Sequence, residues 1–162
     1  MEENNIQEAK EVFAGICRML DNNKWQYTKN EEDMYINTKA VGKDLSMEIS
    51  MLVEPENCDV LLQSYLPFTV PDDLMRDMAV AICETNQHIL NGRFVLKAEE
   101  KNVVFYMSNH YGGALLNDDV YEYLLMVSCR TIDDYNDKLM LLAKKKVNLE
   151  RYMKAAFPKD EE

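Results

Sequence analysis

Apolar residues recur along this chain at two spacings, and each spacing predicts a different kind of element. Between residues 6 and 20 the steps are three and four, which is typical of an amphipathic helix. The apolar positions of this helix are Ile6, Ala9, Phe13, Ile16 and Leu20. From residue 25 to residue 66 the step becomes two, which indicates strands with one buried face and one mostly wet face.

The segment LSMEISMLV is the clearest of these strands. Leu45, Met47 and the alternate residues up to Val53 share one face, whereas Ser46, Glu48 and Ser50 share the other. The same alternation predicts strands at 34–38 and 58–66, joined to it by the turn-like segments VGKD and EPEN.

The second half of the chain begins with a helix start at TVPDDLMRDM. Pro71 suits the first helical position, and the carboxylates of Asp72 and Asp73 suit the positive end of the helix dipole. We expect this helix to close before Gly92, and two short strands to follow at 93–97 and 103–108.

A longer helical region is predicted from Asp118 to Lys146, with a last short helix from Leu149 to Phe157. Thr131 and Asp134 resemble a capping signal, which leaves two alternatives open: a helix that breaks near Thr131 and one that is continuous. The order of elements predicts an α+β two-layer sandwich, in which helices pack on one face of a mostly antiparallel sheet. We expect residues 1–162 to form a single domain.

Charge and composition narrow the classes of function that are expected for this protein. The chain has 162 residues, with 18 basic and 29 acidic side chains and a net charge of −11, which disfavours binding to nucleic acid. No stretch of about 20 apolar residues is present to cross a membrane, and no signal peptide is visible. The four cysteines are far apart and have apolar neighbours, as reduced thiols of a cytoplasmic protein do.

Candidate chemistry is sparse, and we expect no catalytic residue, metal or cofactor. The scattered glycines match no phosphate-binding loop, and neither His88 nor His110 has a second ligand at a metal-binding interval. An enzyme would need one of these histidines to meet a carboxylate in a cleft. The segment NHYGG holds His110 and the paired glycines Gly112 and Gly113, and we interpret it as a turn before a helix capped by Asn117.

The segment ETNQHILNGRFVLKAEEKNVVFYMS and the later TIDDYNDKLMLL carry a family resemblance. With Asn86 ahead of the hairpin, they are similar to the YbjN-like family, described as bacterial sensory transduction regulators. The similarity spans about residues 33–146, and the helix at 149–157 is an addition to the pattern. The resemblance implies a fold like that of class I type III secretion chaperones, a homodimer and protein partners, with no catalytic residues to carry over.

A protein partner would need apolar surface that one core does not absorb. Two surfaces are candidates: a second stripe on the long helix and the outer face of the sheet. The helix stripe comprises Tyr121, Leu125, Ile132 and Leu139, and the sheet set comprises Leu61, Tyr65, Val95, Val104 and Tyr106. Such a surface could be covered by the C-terminal helix of the same chain, by a second copy, or by a client.

We therefore expect a non-enzymatic protein-binding module, chaperone-like or a regulatory adaptor. The alternative is a small-molecule sensor with a pocket between the sheet and the helices.

Overall fold

The computed structural model describes residues 2–113 and 116–158. Within these ranges a three-residue 3-10 turn (Asp72–Leu74) leads directly into the second helix. The helices are α1 (Glu2–Asn22), α2 (Met75–Gln87), α3 (Asp118–Ala143) and α4 (Leu149–Ala156). The strands are β1 (Tyr27–Asn30), β2 (Tyr35–Val41), β3 (Ser46–Glu54), β4 (Asp59–Thr69), β5 (Arg93–Lys97) and β6 (Asn102–His110).

All strand pairs in the sheet are antiparallel, and their order is β1-β2-β3-β4-β6-β5. Short connections between consecutive strands favour this pairing, because antiparallel neighbours need only a hairpin. The longer connection from β4 to β5 contains α2, which places β5 at one edge and β6 between β4 and β5. The predicted two-layer α+β fold is confirmed.

Burial alternates along each long strand and defines two faces of the sheet. We call the face that packs on the helices the inner face and the opposite one the outer face. The inner face holds the large buried side chains of the strands, among them Ile36, Ile49, Leu62, Phe94 and Phe105. Only Val104 is a buried strand residue of the described chain that lies on the outer face.

The long helix α3 is continuous from Asp118 to Ala143, so of the two alternatives the one without a break near Thr131 is confirmed. Its buried stripe runs through Ser128, Ile132 and Asn136 without interruption, so packing holds the helix together across the proposed cap. The Asn117 side chain accepts a hydrogen bond from the Val120 amide at 3.1 Å, which confirms Asn117 as the N-cap. Asp133, which lies next to Ile132 on α3, accepts a hydrogen bond from the Lys43 amide at 2.8 Å.

The C-terminal helix α4 packs against α2 and α3 of the same chain. Tyr152 is almost fully buried there, and its hydroxyl is hydrogen-bonded to the hydroxyl of Thr85. The ring of Phe157 stacks on His88, with ring centroids 4.2 Å apart. Desolvation raises the pKa of Tyr152 to about 12, since burial disfavours the phenolate.

The turn from α2 into β5 is fixed by two residues. Gly92 has φ +85°, and a Cβ at this position would collide with the ring of Phe105. The side chain of Asn86 donates to the carbonyl of Phe94 and accepts from its amide, both at 2.9 Å. Phe94 therefore directs its backbone polar groups away from β6, and the Asn86 amide occupies them at the edge of the sheet.

Candidate protein-binding surface

The helix half of the predicted surface lies in the core. Tyr121 is 4% exposed, and Leu125, Ile132 and Leu139 are each 0% exposed. These side chains pack with the rest of the hydrophobic core, to which α1, α4 and the inner face of the sheet also contribute. The prediction that they form a second exposed stripe is therefore wrong, and the alternative that other elements of the same chain cover α3 describes this helix.

The sheet half of the predicted surface lies together on the outer face. The register pairs Tyr65 with Val104 and Val104 with Val95, so these three side chains form one row across β4, β6 and β5. Tyr106 and Leu61 lie on the same face, two and four positions along the strands. We call Leu61, Tyr65, Val95, Val104 and Tyr106 the outer patch.

Lys97 spans the outer patch at the end of β5. Its ammonium donates to the Tyr65 hydroxyl at 2.8 Å and lies 5.2 Å from the centroid of that ring and 5.9 Å from that of Tyr106. Hydrogen bonding with Tyr65 and then with Tyr106 raises the pKa of Lys97. Val104 lies between these groups and is 0% exposed, although it is outside the main core, whereas Tyr65 is 43% exposed.

The β2 and β3 part of the outer face is more polar, although Val41 and Leu52 also lie on it. On β2 and β3 it carries Asn37, Lys39 and Glu48, and the hydroxyls of Tyr35 and Ser50 are hydrogen-bonded at 2.7 Å. Lys39 and Glu48 form a cross-strand ion pair at 2.7 Å. The outer face is thus divided into a more polar half, in which the Tyr35 hydroxyl is bonded to Ser50, and an apolar half, which brings together two aromatic side chains of the kind that is enriched in protein interfaces.

The NHYGG segment forms the end of a strand and the turn that follows it. Strand β6 continues to His110, two residues beyond the predicted end, and Gly113 has φ +71° in the turn that follows. The amide of Tyr111 donates to the carbonyl of Cys58 at 2.7 Å, and its hydroxyl donates to the carbonyl of Glu54 at 3.0 Å. Residues 114 and 115, between this turn and α3, lie outside the described ranges.

His110 does meet a carboxylate, since its Nδ1 lies 3.2 Å from Oδ1 of Asp59. The two residues are cross-strand neighbours at the end of the sheet, and the imidazole is exposed. The other histidine, His88, is exposed and stacked on Phe157. Neither arrangement provides a dry cleft in which a reacting group would be held.

The space between the sheet and the helices is filled by side chains of the core, including Phe105, Met107 and Leu125. Grooves at the surface of the molecule are open to solvent. Within the described ranges no group of three or more histidine, cysteine, aspartate and glutamate side chains is placed to bind a metal ion. None of the described helices is both long enough and apolar enough to span a bilayer.

The cysteines differ from one another. Cys17, Cys58 and Cys129 are buried free thiols, as expected, whereas Cys83 is exposed on α2, contrary to the expectation that each would be buried. Desolvation raises the pKa of Cys129 to about 11. Cys129 is therefore a neutral, weakly polar side chain in the folded protein.

The six-stranded sheet with helices on one face is the two-layer α+β fold that the family resemblance predicted, and it is shared with YbjN and with chains of two protein complexes. YbjN from E. coli superimposes with a TM-score of 0.57 at 11% identity, over 83% of this chain and 92% of YbjN. A chain of the HopA1–SchA chaperone–effector complex gives 0.58 at 8% identity, over 82% of this chain and 97% of that one.

A chain of the ExsC–ExsE complex gives a TM-score of 0.54 at 12% identity, over 77% of this chain and 92% of that one. At these identities the likeness concerns the fold. No family model and no curated protein matches the sequence.

Proposed function

We propose that this protein is a single-domain, non-enzymatic binding module that holds a segment of another protein against its outer patch. The observation that carries the proposal is the half-exposed Tyr65 beside Tyr106 and Lys97 on a bare sheet face. Aromatic side chains of this kind give large contact area with little loss of conformational entropy on binding. The shared fold with chains of a chaperone–effector complex supports a chaperone-like role.

The sequence supports two further parts of the proposal. Reduced, separated cysteines suit a cytoplasmic protein, and the family resemblance suits a bacterial homodimer. Sedimentation of the purified protein over a range of concentrations tests self-association. A second copy bound through the outer patch would make dimer formation sensitive to substitutions there.

The test of the proposed function compares two halves of one sheet face. The double variant Tyr65→Ser/Tyr106→Ser removes both rings of the outer patch, and Tyr35→Ser removes one ring from the polar half as the matched control. Leu125→Glu does not serve this purpose, because it would place a charge in the core.

Each protein is used to capture partners from native extract, and binding of the recovered partner is then measured with purified components. We expect the double variant to lose at least about tenfold in affinity, or ~1.4 kcal/mol, and Tyr35→Ser to bind as the wild type does. Equal binding by all three proteins would contradict the assignment of the outer patch.

A further inference from the structure

The helix α4 is attached to the molecule through fewer buried side chains than the two helices that it contacts. Only one of its eight residues, Tyr152, is buried. By comparison, four of thirteen residues are buried in α2 and ten of twenty-six in α3. An isolated helix shorter than about 12–15 residues is marginal in water, so we expect α4 to be helical only while it is docked.

Tyr152 anchors α4 through a hydrogen bond that can be broken at low cost. The Thr85 hydroxyl donates to the carbonyl of Ala81 at 2.7 Å, so it accepts from the hydroxyl of Tyr152. If α4 leaves, Thr85 keeps its bond to Ala81, and the Tyr152 hydroxyl bonds to water. Opening at this contact strands no buried polar group, and its cost comes from the apolar surface that is exposed.

The second contact of α4 covers an aromatic surface. The ring of Phe157 stacks on His88 of α2 and lies 6.3 Å from the ring of Tyr135 on α3. Tyr135 in turn packs edge-on against Phe94 of the core, with ring centroids 6.1 Å apart. An open groove of about 520 Å³ lies beside the stack of His88 and Phe157, so solvent reaches the edge of this contact.

The hinge between α3 and α4, residues 144–148, adds little to the attachment. Lys145 has φ +57°, in the left-handed region that residues other than glycine rarely adopt. Its ammonium forms an ion pair with Asp73, and both side chains are more than half exposed. Exposed pairs contribute little to stability because water and salt screen them. The docking of α4 therefore depends on Tyr152 and Phe157.

We propose that α4 is a reversible cover, which opens and closes as a unit while the sheet and the other three helices stay folded. The closed form is the one that the structure shows. The open form exposes Thr85 and His88 on α2 and Tyr135 on α3, an aromatic surface that is otherwise withheld from contact with other molecules. This device lies on the helical side of the molecule and does not depend on the outer patch.

Amide hydrogen exchange of the full chain, followed by NMR at increasing urea below the unfolding transition, measures the opening. The amides of Tyr152 and Phe157 donate to the carbonyls of Asn148 and Met153 within α4. We expect their opening constants to exceed those of the α3 amides at least about a hundredfold and to depend little on urea. The α3 amides should exchange only through unfolding of the whole molecule, with a steep dependence on urea.

Three variants locate the anchor. Tyr152→Ala should raise the opening constant of α4 about a hundredfold, because the one buried side chain of the helix is lost. Tyr152→Phe should raise it less than about tenfold, since Thr85 retains its bond to Ala81. Tyr123→Ala removes a half-exposed tyrosine of α3 as the matched control and should leave the exchange of α4 unchanged.

A second readout follows the surface that α4 covers. Tyr152→Ala should bind 1-anilinonaphthalene-8-sulfonate, which reports exposed apolar surface, whereas the wild type and Tyr123→Ala should not. The emission of Trp25, the only tryptophan, should stay native in all variants, because the residue lies between α1 and β1 and away from α4.

Three outcomes would overturn the proposal. The first is a wild type in which the amides of α4 and α3 have the same opening constant and the same dependence on urea. The second is unchanged exchange of α4 in Tyr152→Ala. The third is loss of the native Trp25 emission in Tyr152→Ala, since it would show that α4 unfolds only together with the rest of the molecule.

Discussion

The inner and outer faces of the sheet are built from the same strands but reach burial in different ways. On the inner face, Phe105 is enclosed by the helices and belongs to the continuous core. On the outer face, its neighbour Val104 is equally buried, yet its cross-strand partners there are Tyr65 and Val95 of the outer patch, and no described helix packs on that face. A sheet face without a second layer can thus form a small apolar cluster of its own, and the covering rings remain partly available for a partner.

The largest effect that separates the faces is expected from adjacent residues of β6. Phe105→Ala should lower the free energy of unfolding by about 3–5 kcal/mol, because it leaves a cavity in the core. Tyr106→Ala, on the outer face, should cost about 1 kcal/mol or less. Urea denaturation of both variants measures the difference, and equal losses would contradict the assignment of the two faces.

Val104 is expected to contribute to the stability of the protein although it lies on the outer face of the sheet. Val104→Ala should cost about 2 kcal/mol, a value typical of a buried position, although the residue faces away from the helices. The double variant with Tyr65→Ala should lose less than the sum of the single losses, since the tyrosine ring covers the valine. Strict additivity in the same denaturation experiment would show that the outer patch is not a cluster.

Alkaline pH should lower the stability of the protein through buried tyrosines on the helix-covered side of the sheet. Burial raises the pKa of Tyr111 and of Tyr152 to about 12, whereas an unfolded tyrosine titrates near 10. Between pH 10 and 12 the unfolded chain therefore releases protons that the folded chain keeps, and stability falls as the pH rises by about 1.4 kcal/mol per pH unit for each fully affected group. Stability should be insensitive to these groups below pH 10.

Urea denaturation at several alkaline pH values, on the wild type and on Tyr152→Phe, measures this dependence. The variant should show a shallower decline above pH 10, because it lacks one of the titrating groups. An identical pH dependence of the two proteins would exclude Tyr152 as a source of the effect.

The smallest expected change in the free energy of unfolding concerns a buried polar side chain on the helical side of the sheet. Asn136 on α3 is 0% exposed, and neither its amide nitrogen nor its oxygen has a hydrogen-bond partner within the described residues. Asn136→Leu should raise the free energy of unfolding by about 1 kcal/mol, because it removes an unsatisfied buried amide at similar volume. A loss of stability would indicate that the amide is satisfied by bound water, and Asn136→Ala provides the comparison for lost packing.

The outer patch could be predicted from the sequence because the alternation of side chains along a strand determines on which face of the sheet each one lies. Once Phe94 and Phe105 are assigned to the core, Val95, Val104 and Tyr106 must face the other way. The helix stripe could not be predicted in the same manner, since α3 is apolar on most of its circumference. Its rotation is decided by its contacts with α1, α4 and the sheet, and these bury Leu125 while Tyr123 and Met126 remain about half exposed.

The contact between the β2–β3 turn and α3 was missed for a related reason. Gly42 and Lys43 are distant in the sequence from Asp133, and no spacing relates them. The one local sign was the glycine in VGKD, but the carboxylate that requires it belongs to Asp133 on α3, about 90 residues further along the chain. The contact of a hairpin with a distant helix is decided by tertiary packing. The hydrophobic periodicity of either element does not predict it.

The amide of Asn86 limits how copies of this protein can join through their sheets. A fibril grows only when every subunit offers two open edges, one that receives a strand and one that extends the stack. Asn86 occupies the outward backbone groups of Phe94 in β5, so this part of the β5 edge is closed to an added strand, whereas the opposite edge of the described sheet is β1. A strand added at β5 would lose two main-chain hydrogen bonds at Phe94, and this loss disfavours the growth of an edge-to-edge stack through β5.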